Sequence, residues 1–421
     1  MTLFKPWQVF GAGALLCVVC TTTPAQTYPQ WLPPEAQVKQ TLENLPQLRA
    51  GRSSLLMEQA NAARLRAGTQ EWSIRAGVQQ RSERIGRNFT ENEIAIERPI
   101  RFGDKADKDA AIGENGIQVA DAAQADNWHE AARTLMSLWF DWLREERSAL
   151  RLQDYAQVLT KEMQIVQKRV KAGDAPRLEL MLAETELTKA GANQSQAAQR
   201  ARILAAEIKR KFPGIATDLP TTLPNPLPIE GDTAFWQQKI LTDNHELELA
   251  ELTARQEKLH AERTVLERRP DPTVGVRMAN ERGGDERILG VSLSLPLPGQ
   301  YRSKLAEAAL ARAQMAAEHA QETRIRVESM AEQVALTAAA AQPLWQQLAQ
   351  VSQQTEANAA LVSRAYALGE AALSDTLLAR RHAIEAQAAA ELAQIDALQS
   401  WSRLLLDTHA IWRLHEGHEH H

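Results

Sequence analysis

An internal repeat is the sequence feature that most constrains the fold of this 421-residue chain. Gly77 in EWSIRAGV corresponds to Gly275 in RPDPTVGV, 198 residues later. Gly173 in VKAGDAPRLEL corresponds to Gly369 in YALGEAALSDT, 196 residues later. A register that drifts by two over about a hundred positions indicates a tandem duplication. A linker with five prolines, residues 212–232, separates the two copies and cannot form a continuous helix.

The two copies have the same predicted order of secondary structure. The first copy spans residues 26–211 and the second spans residues 233–414. Each begins with a helical stretch, at about 35–68 and about 232–268, in which apolar residues recur at helical spacing. Two strands and two long helices follow in each copy. The predicted fold is therefore mostly α with a small β part.

The strands are predicted at about 72–99 and about 273–296, as two strands in each region. Apolar residues there alternate with polar ones, as Ile74 and Val78 do with Arg75 and Gln79. A period of two gives each strand one apolar and one polar face. A soluble hairpin packed on one helix has the same alternation, so the pattern alone does not choose between a water-soluble and a lipid-facing sheet.

Two unusually long helices are predicted after the strands. The first, residues 104–171, reaches roughly 100 Å at a rise of about 1.5 Å per residue. The second, residues 300–368, is as long, and Pro343 is expected to kink or interrupt it.

A glycine ends each long helix, and a return helix is expected after it, at about 175–211 and about 371–414. Each copy thus contains a helical hairpin, at about 104–211 and about 300–414, so one chain supplies four antiparallel helices.

Residues 1–25 have the pattern of a secretory signal peptide. Lys5 precedes a short apolar stretch, and Ala25 provides a small residue for cleavage. Both cysteines, Cys17 and Cys20, fall within this segment, so the mature chain is expected to contain neither disulfides nor thiolate metal sites. Lipidation at Cys20 is the alternative to simple cleavage.

Charge and hydropathy restrict the possible partners. With 48 basic and 53 acidic residues, the chain has no surplus of positive charge with which to hold nucleic acid. No segment after the signal peptide has the 18 or more apolar residues of a membrane helix, so membrane entry would have to use strands. Four strands cannot close a transmembrane barrel, because the smallest barrels have about eight strands. The chain must therefore oligomerise if its strands are to enter a membrane, and three copies would supply twelve strands.

No catalytic motif appears in the sequence, and we do not expect an enzyme or a resident cofactor. The internal histidines are interpreted as single surface residues, namely His129, His245, His260, His319 and His382.

The C-terminus is rich in histidine. Five of the ten histidines lie in THAIWRLHEGHEHH. Imidazole interleaved with carboxylate suits zinc, cobalt, nickel or copper ions, but a tail without fixed geometry should bind weakly. The expected ligands of this weak divalent metal site are His415, His418, His420 and His421. An unselected polar tail and a cloning remnant are the alternatives.

Several motifs carry a resemblance to a known family. ENEIAIERPIRFG and ERILGVSLSLPLPG, with GDAPRLELMLAETEL and GEAALSDTLLARRHA downstream, resemble the TolC-like outer-membrane efflux proteins. Among these the chain looks most like the outer-membrane component of cobalt-zinc-cadmium type heavy-metal efflux systems. The resemblance implies a homotrimer in contact with outer-membrane lipid of a Gram-negative bacterium, with a twelve-stranded β-barrel in that membrane continued by a long periplasmic α-helical barrel.

The same resemblance implies a passive duct and its partners. Substrate would be exported unchanged, delivered by a periplasmic adaptor protein and an inner-membrane pump of the resistance-nodulation-division type. Drug export or protein secretion competes with metal export, and a soluble periplasmic coiled-coil adaptor or scaffold is the alternative from another class.

The resemblance also implies roles for particular residues. The breaks in the two hairpins would form the tip that contacts the adaptor: Val170, Lys171, Ala172, Gly173, Asp174, Tyr366, Ala367, Leu368, Gly369 and Glu370. Glu179 and Asp375, six residues after the glycines, would form a ring of acids at the aperture. Plain helix-capping glycines and solvated surface carboxylates are the alternatives. Leu182 and Leu378 stand where the family often has a second acid, which weakens the expected ring.

Overall fold

The computed structural model describes residues 28–414 of the chain. The predicted signal peptide and the histidine-rich tail lie outside the described residues. The described part contains long helices and one small sheet, which confirms the predicted fold class.

Each half of the chain contributes four helices and two strands. The helices are α1 (Glu35–Glu43), α2 (Pro46–Ala67), α3 (Lys105–Ala172), α4 (Arg177–Lys211), α5 (Thr233–Thr242), α6 (His245–Leu266), α7 (Gln300–Ala367) and α8 (Leu373–Asp407). The strands are β1 (Ser73–Ser82), β2 (Asn88–Pro99), β3 (Thr273–Glu281) and β4 (Glu286–Ser294).

The two longest helices form the framework of the molecule. α3 and α7 have 68 residues each, which at about 1.5 Å per residue gives roughly 100 Å. On the side of the strands α2 packs on α3 and α6 packs on α7, whereas on the opposite side α4 packs on α3 and α8 packs on α7. The two halves meet where α3 contacts α6 and α8.

The expectation that Pro343 interrupts α7 is wrong, because the helix continues through it from Gln300 to Ala367. Pro343 is exposed, so its ring points to solvent rather than into a packed neighbour. The missing N–H removes one of the many hydrogen bonds in this helix, and the packing against α6 and α8 tolerates that loss.

Each of the two short helical stretches is split, which the sequence reasoning missed. Pro46 begins α2 at a position where its missing N–H costs nothing, so α1 and α2 are separate helices. In the second copy Asn244 caps α6, its side chain accepting a hydrogen bond from the Leu247 N–H at 2.9 Å.

The last helix is shorter than predicted. α8 ends at Asp407 rather than at 414, and His409 adopts a left-handed conformation with φ of 56°. The chain therefore turns away from the helix axis before the tail begins.

The largest apolar core lies midway along the long helices, and we call it the equatorial core. It is formed mainly by α1, the middle of α3, and the ends of α4 and α8. Its largest side chains include Trp128, Trp139, Phe140 and Trp412. The equatorial core joins the two halves because residues of α3 pack there against residues of α8.

One histidine in this region corrects the sequence interpretation. His129, expected on the surface, is only 8% exposed, and its Nε2 lies 3.0 Å from Oδ1 of the buried Asp407. The two residues are 278 positions apart, so local sequence gives no sign of the pairing.

None of the helices formed by residues 28–414 has an apolar stretch long enough to cross a membrane.

Candidate functional site: a one-sided sheet and a two-hairpin tip

The four strands form one antiparallel sheet in the order β1, β2, β3, β4. The pairing of β2 with β3 joins the two halves of the chain, with Ile96 opposite Val276 and Ile94 opposite Met278. Among the described residues β1 and β4 each have only one neighbouring strand, so both edges of the sheet are open. An open edge exposes a row of unpaired backbone donors and acceptors.

The register places the apolar residues of all four strands on one face. Ile74, Ile96, Val276 and Val291 form one row across the sheet. All four are exposed, and Val291 retains 85% of its accessible surface. Such a continuous exposed apolar patch is unusual for a protein surrounded by water.

The opposite face is polar and connected by ion pairs. Arg277 on β3 pairs with Glu93 on β2 at 3.3 Å. Arg81 on β1 contacts both Glu91 and Glu281 at 2.9 Å, which links three strands. The predicted division into an apolar and a polar face is therefore confirmed across all four strands.

A cluster of charges fixes the sheet to the helices. Lys105, at the start of α3, is almost fully buried, and its Nζ donates to Oδ1 of Asp271 at 2.7 Å. Asp109, one turn later, accepts from Arg101 at 2.9 Å and from Arg263 at 2.6 Å. These bonds connect the ends of β2, α6 and α3, so the orientation of the sheet relative to the long helices is held by charge-assisted hydrogen bonds.

The opposite end of the molecule is formed by the turns of the two hairpins. Gly173 has φ of 78° and Gly369 has φ of 81°. In both turns an N–H bonds to the carbonyl five residues earlier, from Asp174 to Arg169 at 2.9 Å and from Glu370 to Ala365 at 2.9 Å. This is the Schellman termination, which needs a residue at positive φ and explains the two glycines.

The structure places the ten predicted tip residues together at this end. Eight are exposed, whereas Val170 and Tyr366 are half-buried and pack against a small apolar cluster. A Cβ atom added to Gly173 or Gly369 would meet no atom within 4 Å. Space around the turns is therefore open, as a docking surface requires.

Tyr366 links the two hairpins. Its hydroxyl donates to Oε2 of Glu179, at the start of α4, at 2.9 Å. The guanidinium of Arg169 lies 5.0 Å from the centre of the Tyr366 ring and donates to Asp174 at 3.0 Å. Burial and the bond to Glu179 raise the pKa of Tyr366 to about 12, so the hydroxyl keeps its proton at any ordinary pH. We call Arg169, Asp174, Glu179 and Tyr366 the tip lock.

The two predicted aperture acids lie in different environments. Glu179 is half-buried and accepts a hydrogen bond from Tyr366, whereas Asp375 is exposed in the first turn of α8. Sequence reasoning assigned the two acids the same role and missed the bond to Tyr366, because 187 residues separate the partners.

Further contacts join the hairpins behind the tip. Arg380 on α8 pairs with Glu162 on α3, and Arg381 pairs with Glu186 on α4. Burial raises the pKa of Glu162 above its ordinary value, although Arg380 acts in the opposite direction. Separation of the hairpins would have to break these pairs as well as the tip lock.

No protein-family model matches the sequence, and no curated protein matches it either. Solved structures do match. The chain is similar to the CmeC outer membrane channel of Campylobacter jejuni, with 12% identity and a TM-score of 0.75, over 91% of this chain and 86% of the other. It is also similar to the outer membrane protein VceC of Vibrio cholerae, with 16% identity and a TM-score of 0.72, over 90% and 95% of the two chains.

The open state of the MtrE outer membrane channel of Neisseria gonorrhoeae matches with 16% identity and a TM-score of 0.65, over 91% of this chain and 90% of the other. The chain thus has the fold of outer-membrane channel proteins. More narrowly, its duplicated strand pairs and long helical hairpins are those of the TolC-like fold.

Proposed function

We propose that this chain is one protomer of the outer-membrane channel of a tripartite efflux system. The observation that carries the proposal is the one-sided sheet, whose apolar face is exposed and whose opposite face is lined with ion pairs. The likeness of the fold to solved outer-membrane channels supports it.

The two open edges of the sheet explain why the protomer needs copies of itself. Adjacent strands in the sheet alternate in direction, so β4 of one protomer would run antiparallel to β1 of the next. Three protomers would close a twelve-stranded barrel with the apolar face towards lipid and the ion-paired face towards water. The long helices would continue the barrel as a periplasmic tube.

Neighbouring positions on β4 provide a matched test. Val291 lies on the apolar face, and Gly290, next to it, lies on the polar face with no atom within 4 Å of an added Cβ. Val291→Arg is expected to cost about 2–4 kcal/mol per protomer if the position faces the bilayer centre. Gly290→Arg adds the same charge to the water-filled side and should leave assembly intact.

The measurement is the yield of detergent-extracted trimer in the outer-membrane fraction. We expect Val291→Arg to reduce it at least tenfold, whereas Gly290→Arg should retain it and lower single-channel conductance. Equal effects of the two substitutions, or a wild-type protein that is a monodisperse monomer in detergent-free buffer, would contradict the proposal. A monodisperse monomer in detergent-free buffer would favour a soluble periplasmic adaptor or scaffold.

We assign the tip to the adaptor contact. The exposed tip residues lie at the end of the long hairpins opposite the sheet, where a periplasmic adaptor and its inner-membrane pump would meet the channel. In a trimer the carboxylates of Glu179 and Asp375 would be presented three times each near one axis and would favour cations.

We further propose that the exported substrate is a heavy-metal cation. The sequence resemblance and the histidines of the tail, His415, His418, His420 and His421, support this substrate class. Deletion of the gene should sensitise cells to zinc, cobalt, cadmium or copper salts. Sensitivity to organic toxins alone would replace metal export by drug export and leave the channel proposal standing.

A further inference from the structure

Three histidines from distant parts of the chain meet beside the equatorial core. His129 lies on α3, His245 is the first residue of α6, and His409 follows α8. The ring centres of His245 and His409 are 4.7 Å apart, those of His129 and His409 are 5.2 Å apart, and those of His129 and His245 are 6.4 Å apart. Protonation of any two would place like charges within contact distance.

The neighbouring carboxylate is already surrounded by positive charge. The Asp407 side chain is fully buried and accepts from Nε of Arg133 at 3.0 Å and from Nε of Arg403 at 2.6 Å. His129 is its third partner, at 3.0 Å. These groups hold the pKa of Asp407 well below its usual range although burial acts to raise it, so the carboxylate remains charged. The guanidinium groups of Arg133 and Arg403 already balance the negative charge of Asp407. A protonated histidine would therefore add a positive charge that Asp407 does not balance.

Further charged groups lie near the three rings, and Arg326 of α7 pairs with one of them, Glu246. They are Asp126 and Glu130 on α3, Glu246 and Glu248 on α6, and Arg413 after α8. Glu130 and Glu248 are more than half exposed, so their charges are screened by water. Arg413, in contrast, bonds to the backbone carbonyl of His409 itself.

The ring of His409 has no hydrogen-bond partner at Nε2, among the described residues, that could hold an added proton in place. Its Nε2 is enclosed and forms no hydrogen bond with any of residues 28–414. Burial, together with the neighbouring His129 and His245, lowers the pKa of His409 to about 3, although the charge of Asp407 acts in the opposite direction. Burial likewise lowers the pKa of His129.

The C-terminal segment, residues 408–414, begins beside these histidines. Trp412 in this segment is 1% exposed, and its carbonyl accepts from Nε1 of Trp128 at 2.7 Å. Its own indole N–H donates to the hydroxyl of Tyr28 at 2.7 Å. The segment therefore connects Tyr28, α3 and α8, and His409 contacts α3 through His129 and α6 through His245.

Metal binding does not account for the three rings as they stand. His129 uses Nε2 for Asp407, and no set of three or more ligating side chains among residues 28–414 is arranged to hold a metal ion.

We propose that His129, His245 and His409 form a proton-sensitive latch that keeps the C-terminal segment on α3 at neutral pH and releases it in acid. The latch acts because three neutral rings pack together beside two arginines, whereas imidazolium ions at the same distances repel each other and the arginines.

The sign and size of the effect follow from proton linkage. A released His409 titrates near 6.5, whereas the packed residue titrates near 3, so protons bind the released form more tightly. Above pH 7 the equilibrium between the packed and the released segment does not depend on pH. Below pH 6.5 the equilibrium constant for packing falls about tenfold for each pH unit. At pH 5.0 the release of His409 is favoured about 30-fold relative to pH 7.5.

Hydrogen exchange of the full protein in detergent measures the release directly. The amides of residues 408–410 are hydrogen-bonded to carbonyls of the last turn of α8 and report opening of the segment. Their protection, normalised to intrinsic exchange at each pH, should fall about 30-fold between pH 7.5 and 5.0. His409→Asn removes the titrating group, and asparagine tolerates the left-handed φ of this position, so the fall should shrink to less than about threefold.

His319→Asn is the matched control, because it removes an exposed histidine from α7 far along the sequence from the latch. It should behave as the wild type does. A wild-type profile without a fall below pH 6.5, or the same fall in His409→Asn, would overturn the proposal. If His409→Asn fails to assemble, the wild-type profile decides, since it must be flat above pH 7 and lose about one decade of protection per pH unit below 6.5.

Discussion

Removing the hydroxyl of Tyr366 should make the tip open more readily. Tyr366→Phe keeps the ring, and therefore its contact with Arg169, but deletes the hydrogen bond to Glu179. That bond joins α7 to α4, so its loss weakens a link between hairpins and leaves each hairpin unchanged.

The size of the effect can be worked out from the geometry. A hydrogen bond to a charged group contributes about 1.5–3 kcal/mol when buried. Tyr366 and Glu179 are half-buried, and solvent screening reduces this to about 1 kcal/mol, which is roughly a fivefold change in the open-to-closed ratio for each protomer. Because the pKa of Tyr366 is raised to about 12, the hydroxyl can donate at any ordinary pH and loses its proton only as pH rises through that value.

Single-channel recording in planar bilayers provides the assay. Tyr366→Phe should raise the open probability at least fivefold and leave ion selectivity unchanged. Tyr155→Phe is the control, because the hydroxyl of Tyr155 is buried near the same apolar cluster but has no hydrogen-bond partner among residues 28–414. Its open probability should match that of the wild type.

The same recordings distinguish residues of the tip lock, which control opening, from acids at the aperture, which control ion selectivity. Glu179→Gln keeps a neutral acceptor for Tyr366 and removes the charge, so it should change selectivity more than opening. Asp375→Asn should shift selectivity towards anions without an effect on opening, because Asp375 is exposed and outside the tip lock. An open probability of Tyr366→Phe within twofold of the wild type, or an equal rise in Tyr155→Phe, would refute the reasoning.

Four further outcomes are expected. Gly369→Trp should abolish export in resistance assays while trimers persist on gels, and Gly369→Asn, which keeps the left-handed turn without bulk, should export normally. Asp407→Asn should lower the thermal midpoint in calorimetry by an amount equivalent to about 3 kcal/mol, since the buried Arg133 keeps only the exposed Glu130 as a carboxylate partner. Pro343→Ala should raise that midpoint, because proline costs about 3 kcal/mol relative to alanine inside a helix. Removal of residues 415–421 should leave the trimer intact, and the tail peptide should bind zinc with micromolar or weaker affinity at pH 7.5 but not at pH 5.5, when imidazole is protonated.

Helices and strands whose ends or faces depend on nearby residues could be predicted from the sequence almost to the residue. α3 ends at Ala172 because Gly173 can adopt positive φ, and α7 ends at Ala367, two residues before Gly369, which also has positive φ. The two faces of the sheet follow from alternation within each strand, and the pairing of the strands places the alternations in step.

What sequence reasoning missed depends on contacts between distant segments. The bond between Tyr366 and Glu179 exists only because the two hairpins pack against each other. The histidine cluster exists only because α6 begins and α8 ends beside the middle of α3. Each histidine, read alone, has the surroundings of a surface residue. The early end of α8 at Asp407 has the same origin, since packing of the C-terminal segment ends the helix where the sequence contains no breaker.

Most tryptophans of the protein lie midway along the long helices, so tryptophan fluorescence reports mainly on this region. Six of the ten tryptophans lie in or against the equatorial core, namely Trp31, Trp128, Trp139, Trp142, Trp401 and Trp412. A seventh, Trp236, contacts Trp401, with ring centres 5.8 Å apart. Buried indoles emit at shorter wavelength than exposed ones, so a red shift would record loosening of this region. Intrinsic fluorescence therefore reports on the packing of the equatorial core. The tip lies about 50 Å away, half the length of a 68-residue helix, so the emission should remain unchanged while the tip opens or closes.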